Sequence, residues 1–154
     1  MLEAYDVNYV FGVPGDTSVP LYQALYERRD TVRHILARDE RSAAYMADGY
    51  ARISGRVGVC EGPSGGGATY ILPGVAEANE SSVPLLAVTT DISTSSRGRF
   101  TLTELDQAAL FRPVGSAEGH FAAAPMADLV LHINREAIHH GAEIALLRDL
   151  YLRR

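Results

Sequence analysis

The feature that most limits the fold of this chain is a regular alternation of short apolar segments with longer amphipathic segments over residues 7–90. The short segments are typical of strands and the longer ones of helices. The predicted strands are residues 7–13, 32–36, 57–60 and 85–90. The predicted helices between them are residues 18–28, 40–53 and 67–81. Strands that alternate with helices form parallel sheets with right-handed crossovers. The sequence therefore predicts an α/β fold, a doubly wound, mainly parallel sheet with helices on both faces.

This topology gathers the strand-to-helix loops at the carboxyl end of the sheet, where open α/β sheets bind ligands. Three of these loops have distinctive chemistry. The first strand ends in the turn GVPGD at residues 12–16, the second leads into a helix with Glu40 in its first turn, and the third ends in GPSGGGAT at residues 62–69. The sequence therefore predicts a binding site built from a carboxylate and from backbone that a ligand can approach closely.

Local sequence leaves two interpretations of Glu40 open. An acid in the first turn of a helix complements the helix dipole and needs no further role. A carboxylate in a partly apolar site can instead exchange protons near neutral pH. The glycine-rich loop lacks the Lys-Ser/Thr ending of a phosphate loop and the spacing of a dinucleotide fingerprint, so close approach by a flat ring fits it better.

Composition narrows the class of function. The net charge of −5 gives no reason to expect nucleic acid or an anionic membrane as a partner. All 14 basic residues are arginines, which excludes a catalytic lysine Schiff base and a phosphate-loop lysine. Cys60 is the only cysteine, so it forms no internal disulfide, and its apolar neighbours predict that it is buried. No cysteine or carboxylate set accompanies His132, His139 and His140, and no metal site is predicted from this chain.

No apolar stretch reaches transmembrane length, and no signal sequence precedes the predicted fold. We therefore expect a cytoplasmic protein. A short helix at residues 102–111 and further helices at residues 126–140 and 142–154 are predicted beyond the alternating part.

The segments that predict a site also resemble a known family. YVFGVPGD, HILARDERSAAYMADGYAR and GVCEGPSGGGAT occur in that order at residues 9–16, 34–52 and 58–69. Together they resemble the N-terminal pyrimidine-binding domain of thiamine-diphosphate (TPP)-dependent enzymes, most closely the acetolactate synthase large subunit family. The resemblance assigns residues 1–114 to that domain and leaves residues 115–154 as a divergent, mostly helical extension of the same domain.

The resemblance implies a catalytic role for Glu40, which would hydrogen-bond a ring nitrogen of the cofactor's aminopyrimidine and so promote loss of the thiazolium proton. It implies a 2-keto-acid decarboxylase or carboligase. The cofactor-binding residues would be Pro14, Gly15, Glu40, Ser64, Gly65 and Gly66. The diphosphate and Mg²⁺ would be held by a partner domain or chain in a homo- or hetero-oligomer, and this chain would be incomplete alone.

Departures from the family pattern keep other functions open. The GDG...N motif that holds the diphosphate is absent, Tyr70 stands where many relatives have asparagine, and Leu102-Thr103 stands where acetolactate synthases have Phe-Gln. The alternatives are one subunit of a split sulfopyruvate- or phosphonopyruvate-type decarboxylase, or a non-catalytic truncated remnant. Whether the chain is an enzyme by itself is left open. A face of small residues on the Glu40 helix is expected to be partly exposed and to mark a subunit interface; it comprises Ala43, Ala44, Ala47 and Ala51.

Overall fold

A four-stranded parallel sheet in the order β2-β1-β3-β4 is the centre of the structure, a computed structural model that describes residues 2–115. The strands are β1 (Tyr9–Gly12), β2 (Arg33–Leu36), β3 (Gly58–Gly62) and β4 (Leu85–Thr89). The helices are α1 (Val19–Glu27), α2 (Glu40–Ser54), α3 (Gly66–Glu80) and α4 (Gln107–Gly115), and single 3₁₀ turns lie at Leu2–Tyr5, Asp16–Ser18 and Thr94–Ser96. The predicted α/β fold with a parallel sheet is confirmed.

The helices cover the two faces of the sheet unequally. Apolar residues of α2, α3 and α4 form one buried cluster with alternate residues of the strands, among them Phe11 and Cys60. Leu25 of α1 belongs to a second cluster on the opposite face, with Val10 and Val59. Every residue of β3 and β4 is buried, as expected of strands covered on both sides, whereas β2 at the side of the sheet is only partly covered. Cys60 is fully buried, as the sequence predicted.

Capping residues fix where α2 begins and ends. The Asp39 side chain accepts a hydrogen bond from the Ser42 backbone N–H at 2.8 Å, which satisfies one free donor of the first turn. At the other end, Gly55 adopts a left-handed conformation with φ of 67° and closes the helix through a hydrogen bond to Ala51. Both ends agree with the prediction. The Asp39 cap places Glu40, the first residue of α2, at the carboxyl end of the sheet.

The small-residue face of α2 is buried within the chain, so the expectation that it is partly exposed is wrong. Ala43, Ala44 and Ala47 have no exposed surface. A Cβ on Gly74 of α3 would lie 2.5 Å from the Ala44 Cβ, and a Cβ on Gly58 of β3 would overlap the Ala47 carbonyl. Small residues let α2 pack closely against α3 and β3, and these elements of the same chain cover the face.

Two predicted boundaries are wrong in an informative way. Strand β3 continues through Glu61 to Gly62, although the sequence prediction ended it at Cys60, the last residue of the apolar segment. Helix α4 begins at Gln107, where the Asp106 carboxylate accepts a hydrogen bond from the Ala109 backbone N–H at 2.9 Å, and it includes Pro113 in its last turn. The proline lacks the N–H that would bond to the Ala109 carbonyl, yet it did not end the helix at residue 111.

The helices predicted at residues 126–140 and 142–154 lie outside the described residues, as do the three C-terminal histidines. Within residues 2–115, no helix is both long and apolar enough to span a bilayer. The same part of the chain contains no group of three or more potential metal-binding side chains.

Candidate functional site

Three loops at the carboxyl end of the sheet are joined by hydroxyl hydrogen bonds. Thr17, in the turn after β1, shares a hydrogen bond of 2.8 Å with Thr90, which follows β4. The Thr17 hydroxyl also accepts a 3.0 Å hydrogen bond from the backbone N–H of Ser64, in the glycine-rich loop. The Ser64 hydroxyl is 2.7 Å from that of Thr103, in the long loop after β4. These contacts hold the glycine-rich loop between the segments on either side of it.

The glycines of this end of the sheet allow the loops to pack closely. A Cβ on Gly15 or on Gly67 would overlap the ring of Pro63, so the proline lies between these two glycines. Gly65 has a φ of 66°, a conformation that favours glycine, and a Cβ there would lie 2.8 Å from the Thr103 Cα. Gly66 differs from the others, because a Cβ at this position would meet no atom within 4 Å. Its backbone is therefore open to a ligand.

Glu40 lies beside this glycine-rich loop with its carboxylate available. A Cβ on Gly67 would lie 3.3 Å from Glu40 Oε1, so the missing side chain of Gly67 leaves room for the carboxylate. Within residues 2–115 the Glu40 carboxylate makes no hydrogen bond and no ion pair, and the residue is partly buried. The N-terminus of α2 favours its negative charge. The arrangement presents a carboxylate that can bind a hydrogen-bond donor of a ligand.

The structure brings most of the predicted site residues together. The loop at residues 63–67 is bordered by Glu40 and Gly15, and Gly65 lies within it. Two further predicted residues, Pro14 and Gly66, are exposed. Ser64 is buried, and its hydroxyl is engaged by Thr103. Its observed contacts hold the loop, and direct contact with a cofactor stays a prediction for this residue. Sequence reasoning missed the residues that close the loop, Thr17, Pro63, Gly67 and Thr103.

Sequence reasoning also missed Glu61, the fourth residue of β3. Its side chain has no exposed surface, and its Oε2 accepts a 2.8 Å hydrogen bond from the Tyr22 hydroxyl. Its Oε1 is buried and has no hydrogen-bond partner within the described part of the chain. The pKa of Glu61 is raised to about 7, mainly by burial; the hydroxyls of Tyr22 and Ser18 partly oppose the rise, and the nearby charge of Glu40 adds a smaller contribution to it. The available signal was a single acid between VGVC and a glycine, in an otherwise apolar segment.

Tyr22 connects Glu61 to His34. The Tyr22 hydroxyl is 3.1 Å from His34 Nε2, and the two rings meet edge to face with centroids 4.7 Å apart. Burial raises the pKa of Tyr22 and lowers the pKa of His34, so both side chains are neutral near pH 7. Both also border a surface cavity of about 480 Å³, together with Leu25, Tyr26, Arg29 and Arg33.

The family of the chain follows from comparison with known sequences. Residues 1–110 match the sequence profile of a family described as thiamine pyrophosphate enzyme, N-terminal TPP binding domain. The chain belongs to this family. The resemblance seen in the sequence is therefore confirmed, and the loops described above form the carboxyl end of a TPP-binding domain.

The relatives of this TPP-binding domain agree with the family assignment. It is 45% identical over 113 residues to a probable acetolactate synthase large subunit from Methanococcus aeolicus, which is 73% of this chain and 18% of the relative. It is 41% identical over 113 residues to the acetolactate synthase large subunit of Corynebacterium glutamicum, again 73% of this chain and 18% of the relative. An acetolactate synthase from Mycobacterium bovis is 33% identical over 141 residues, 92% of this chain and 22% of the relative. The chain thus spans about a fifth of the length of these relatives.

Proposed function

We propose that this TPP-binding domain provides the pyrimidine-binding half of an active site that decarboxylates or ligates 2-keto acids. One observation carries the proposal: the Glu40 carboxylate, without a partner among residues 2–115, lies beside a loop whose glycines leave space next to it. The names of its relatives, acetolactate synthases, support a 2-keto acid as the substrate class.

The residues at the carboxyl end of the sheet fit the aminopyrimidine of thiamine diphosphate. A flat ring needs backbone that it can approach closely, and Gly66 and its glycine neighbours offer such a surface. Pro14 and Gly15 border the same loop from the β1 side. Glu40 would bind a ring nitrogen, since a carboxylate can accept a hydrogen bond from a protonated ring nitrogen and can also share the proton.

Glu40 would then act through proton transfer. The bound cofactor supplies a carbon acid whose conjugate base adds to the keto acid and stabilises the charge left by decarboxylation. The task of Glu40 is to hold a proton on or next to the ring nitrogen. The N-terminus of α2 keeps its charged form favourable until that proton is shared. The missing side chain of Gly67 leaves room for the carboxylate next to the loop.

The diphosphate and Mg²⁺ would be bound by a partner domain or a separate chain, in a homo- or hetero-oligomer. Divalent ions such as Mg²⁺ are usually held by one or two carboxylates together with the phosphates of the ligand. A site shared in this way would be completed at the carboxyl end of this sheet, where Glu40 and Gly66 are accessible.

The experiment that tests the proposal is hydrogen–deuterium exchange at the thiazolium carbon of the bound cofactor in the assembled holoenzyme. Glu40→Gln keeps the size of the side chain but cannot share a proton, so exchange should slow by ~10²–10⁴-fold. Binding of thiamine diphosphate, measured by calorimetry, should be weakened much less.

The matched control is Glu80→Gln, which removes an exposed acid at the end of α3. It should leave both exchange and binding unchanged. If Glu40→Gln exchanges as fast as the parent, Glu40 has no proton-transfer role, and it is only an acid in the first turn of a helix.

A further inference from the structure

A hydrogen-bonded series of three side chains runs from the carboxyl end of β3 to the surface of the domain, with Glu61 fully buried and Tyr22 and His34 partly buried. The Tyr22 hydroxyl lies 2.8 Å from Glu61 Oε2 and 3.1 Å from His34 Nε2. The three residues come from β3, α1 and β2, so only the folded structure brings them together. The cavity bordered by Tyr22 and His34 gives the outer end of the series contact with solvent.

The surroundings of Glu61 do not compensate a negative charge. Within residues 2–115 no salt bridge involves Glu61, and the nearby charge that acts on its pKa is that of another acid, Glu40. The groups that face it are Gly12 of β1, Ser18 of the 3₁₀ turn, Tyr22 of α1, Val88 of β4 and Glu40 of α2. A buried carboxyl group without a cation is more stable with a proton.

We infer that Glu61 stores a proton at the carboxyl end of the sheet, and that this proton exchanges with solvent through Tyr22 and His34. It is a positioning residue, because it acts on the cofactor site through the charge state of Glu40. This link to Glu40 rests on the proposed function, whereas the path through Tyr22 and His34 does not.

The direction of the hydrogen bonds defines the transfer. The Tyr22 hydroxyl donates to Glu61 Oε2, so its oxygen accepts from the N–H at Nε2 of a neutral His34. An ionised Glu61 takes the Tyr22 proton as the Tyr22 O–H bond breaks, and Tyr22 takes the proton from His34 Nε2. As His34 gives up its Nε2 proton, its other ring nitrogen takes a proton from solvent, which leaves hydroxide in the solvent, and His34 ends as its other neutral tautomer. The net change is one proton moved from solvent to Glu61. Burial raises the pKa of Tyr22, which disfavours a free tyrosinate, so the two transfers occur together.

The charge states of the two glutamates are then linked. When Glu40 is ionised, Glu61 keeps its proton, because two negative charges at one sheet end repel each other. A proton lost from Glu61 can be regained along this path without opening the loops around Glu40.

The test is a pH titration of the full chain labelled with ¹³C at the glutamate side-chain carboxyl carbon and followed by NMR. The parent should show one signal with a midpoint near 7, and Glu61→Gln should remove it. Tyr22→Phe removes a hydrogen bond to the ionised form, so the midpoint should rise by about one pH unit. It should also broaden the Glu61 signal at the midpoint, because proton exchange with solvent slows.

Two further variants separate proton transfer from packing. Tyr26→Phe is the matched control, since Tyr26 borders the same cavity on the same helix but lies outside the series, and it should change neither midpoint nor line width. His34→Gln keeps a donor for Tyr22 but has no second tautomer, so it should broaden the signal with little change in midpoint.

Glu40→Gln tests the linkage and should lower the Glu61 midpoint. If it leaves that midpoint unchanged, the link to Glu40 is wrong, whatever the outcome of the thiazolium exchange experiment. The inferred proton path is wrong if the signal that Glu61→Gln removes does not titrate near 7. It is also wrong if Tyr22→Phe has no more effect than Tyr26→Phe.

Discussion

At the scale of single residues, the two glutamates at the carboxyl end of the sheet are held in opposite ways. Glu40 is partly buried at a helix N-terminus, which favours its charge, while Glu61 is fully buried in a strand with a tyrosine hydroxyl as its hydrogen-bond donor. The first environment suits a carboxylate that exchanges protons with a ligand. The second suits a carboxyl group that keeps its proton.

The raised pKa of Glu61 predicts a pH dependence of stability. In the unfolded chain this pKa returns to its ordinary value of 4.5, and in the folded chain it is about 7. Between these two values the folded state binds the proton and the unfolded state does not, so the stability from protonated Glu61 is complete below pH 4.5 and is lost as the pH rises through 7. At 1.36 kcal/mol per pKa unit, the loss is about 3 kcal/mol.

Urea denaturation of the parent and of Glu61→Gln at a series of pH values measures this loss. The difference between their free energies of unfolding should move in favour of Glu61→Gln by about 3 kcal/mol between pH 4.5 and 8. Glu80→Gln, an exposed control, should follow the parent. A constant difference between parent and Glu61→Gln would contradict the burial of an uncompensated carboxyl group.

At the scale of elements, the contact between α2 and α3 sets the position of the site. Both helices begin at the carboxyl end of the sheet, α2 with Glu40 and α3 with the glycine-rich loop. Their approach depends on Ala44 of α2 against Gly74 of α3, where a Cβ would lie 2.5 Å from the Ala44 Cβ. The distance between Glu40 and Gly67 therefore follows from how closely the two helices pack.

Two glycine substitutions in these helices test that packing. Gly49→Ala on α2 adds a methyl group that meets no atom within 4 Å, and the better helix propensity should stabilise the fold by about 0.5–1 kcal/mol. Gly74→Ala on α3 gains the same propensity but presses against Ala44 and its backbone, so a net loss of about 1–3 kcal/mol is expected. Urea denaturation of both variants gives the comparison. A Gly74→Ala variant as stable as Gly49→Ala would mean that the helices separate without cost.

At the scale of the whole molecule, large apolar side chains stand exposed near the carboxyl end of the sheet. Phe100 and Leu102 are 101% and 85% exposed, in the loop whose Thr103 packs on Gly65. Tyr70, on the second turn of α3, is 60% exposed. Apolar side chains grouped beside a binding site are typical of protein interfaces. A partner that covers this surface would also complete the proposed cofactor site.

Sedimentation velocity tests association through this surface. We expect the purified chain to form a dimer or a larger assembly, and the double variant Phe100→Ser/Leu102→Ser to weaken it by about a hundredfold or more, because each buried apolar side chain contributes roughly 1.5–3 kcal/mol. Ile53→Ser is the matched control, because Ile53 is 91% exposed at the far end of α2 from Glu40. A parent chain that stays monomeric at high concentration, or an equal effect of Ile53→Ser, would contradict this interface.

The sequence by itself determined the order of strands and helices along the chain and the start of α2 at Glu40, and it predicted a site at the carboxyl end of the sheet. These features depend on local patterns: apolar periodicity, an acid before a helix, and glycines in a loop. The carboxyl ends of parallel strands lie at one edge of a sheet, so the order of the elements alone places Glu40 and the glycine-rich loop at the same edge. The family confirmed the α/β fold that these patterns predict.

Only the tertiary structure decided which side chains are covered and by what. The alanine face of α2 is buried because α3 and β3 pack on it, which a helix pattern alone does not specify. Glu61 lies inside the domain because its face of β3 is covered by α1, and its partner Tyr22 is 39 residues away in the chain. The alternation of a strand assigns a side chain to one of two faces, but burial and pKa depend on distant residues that cover that face.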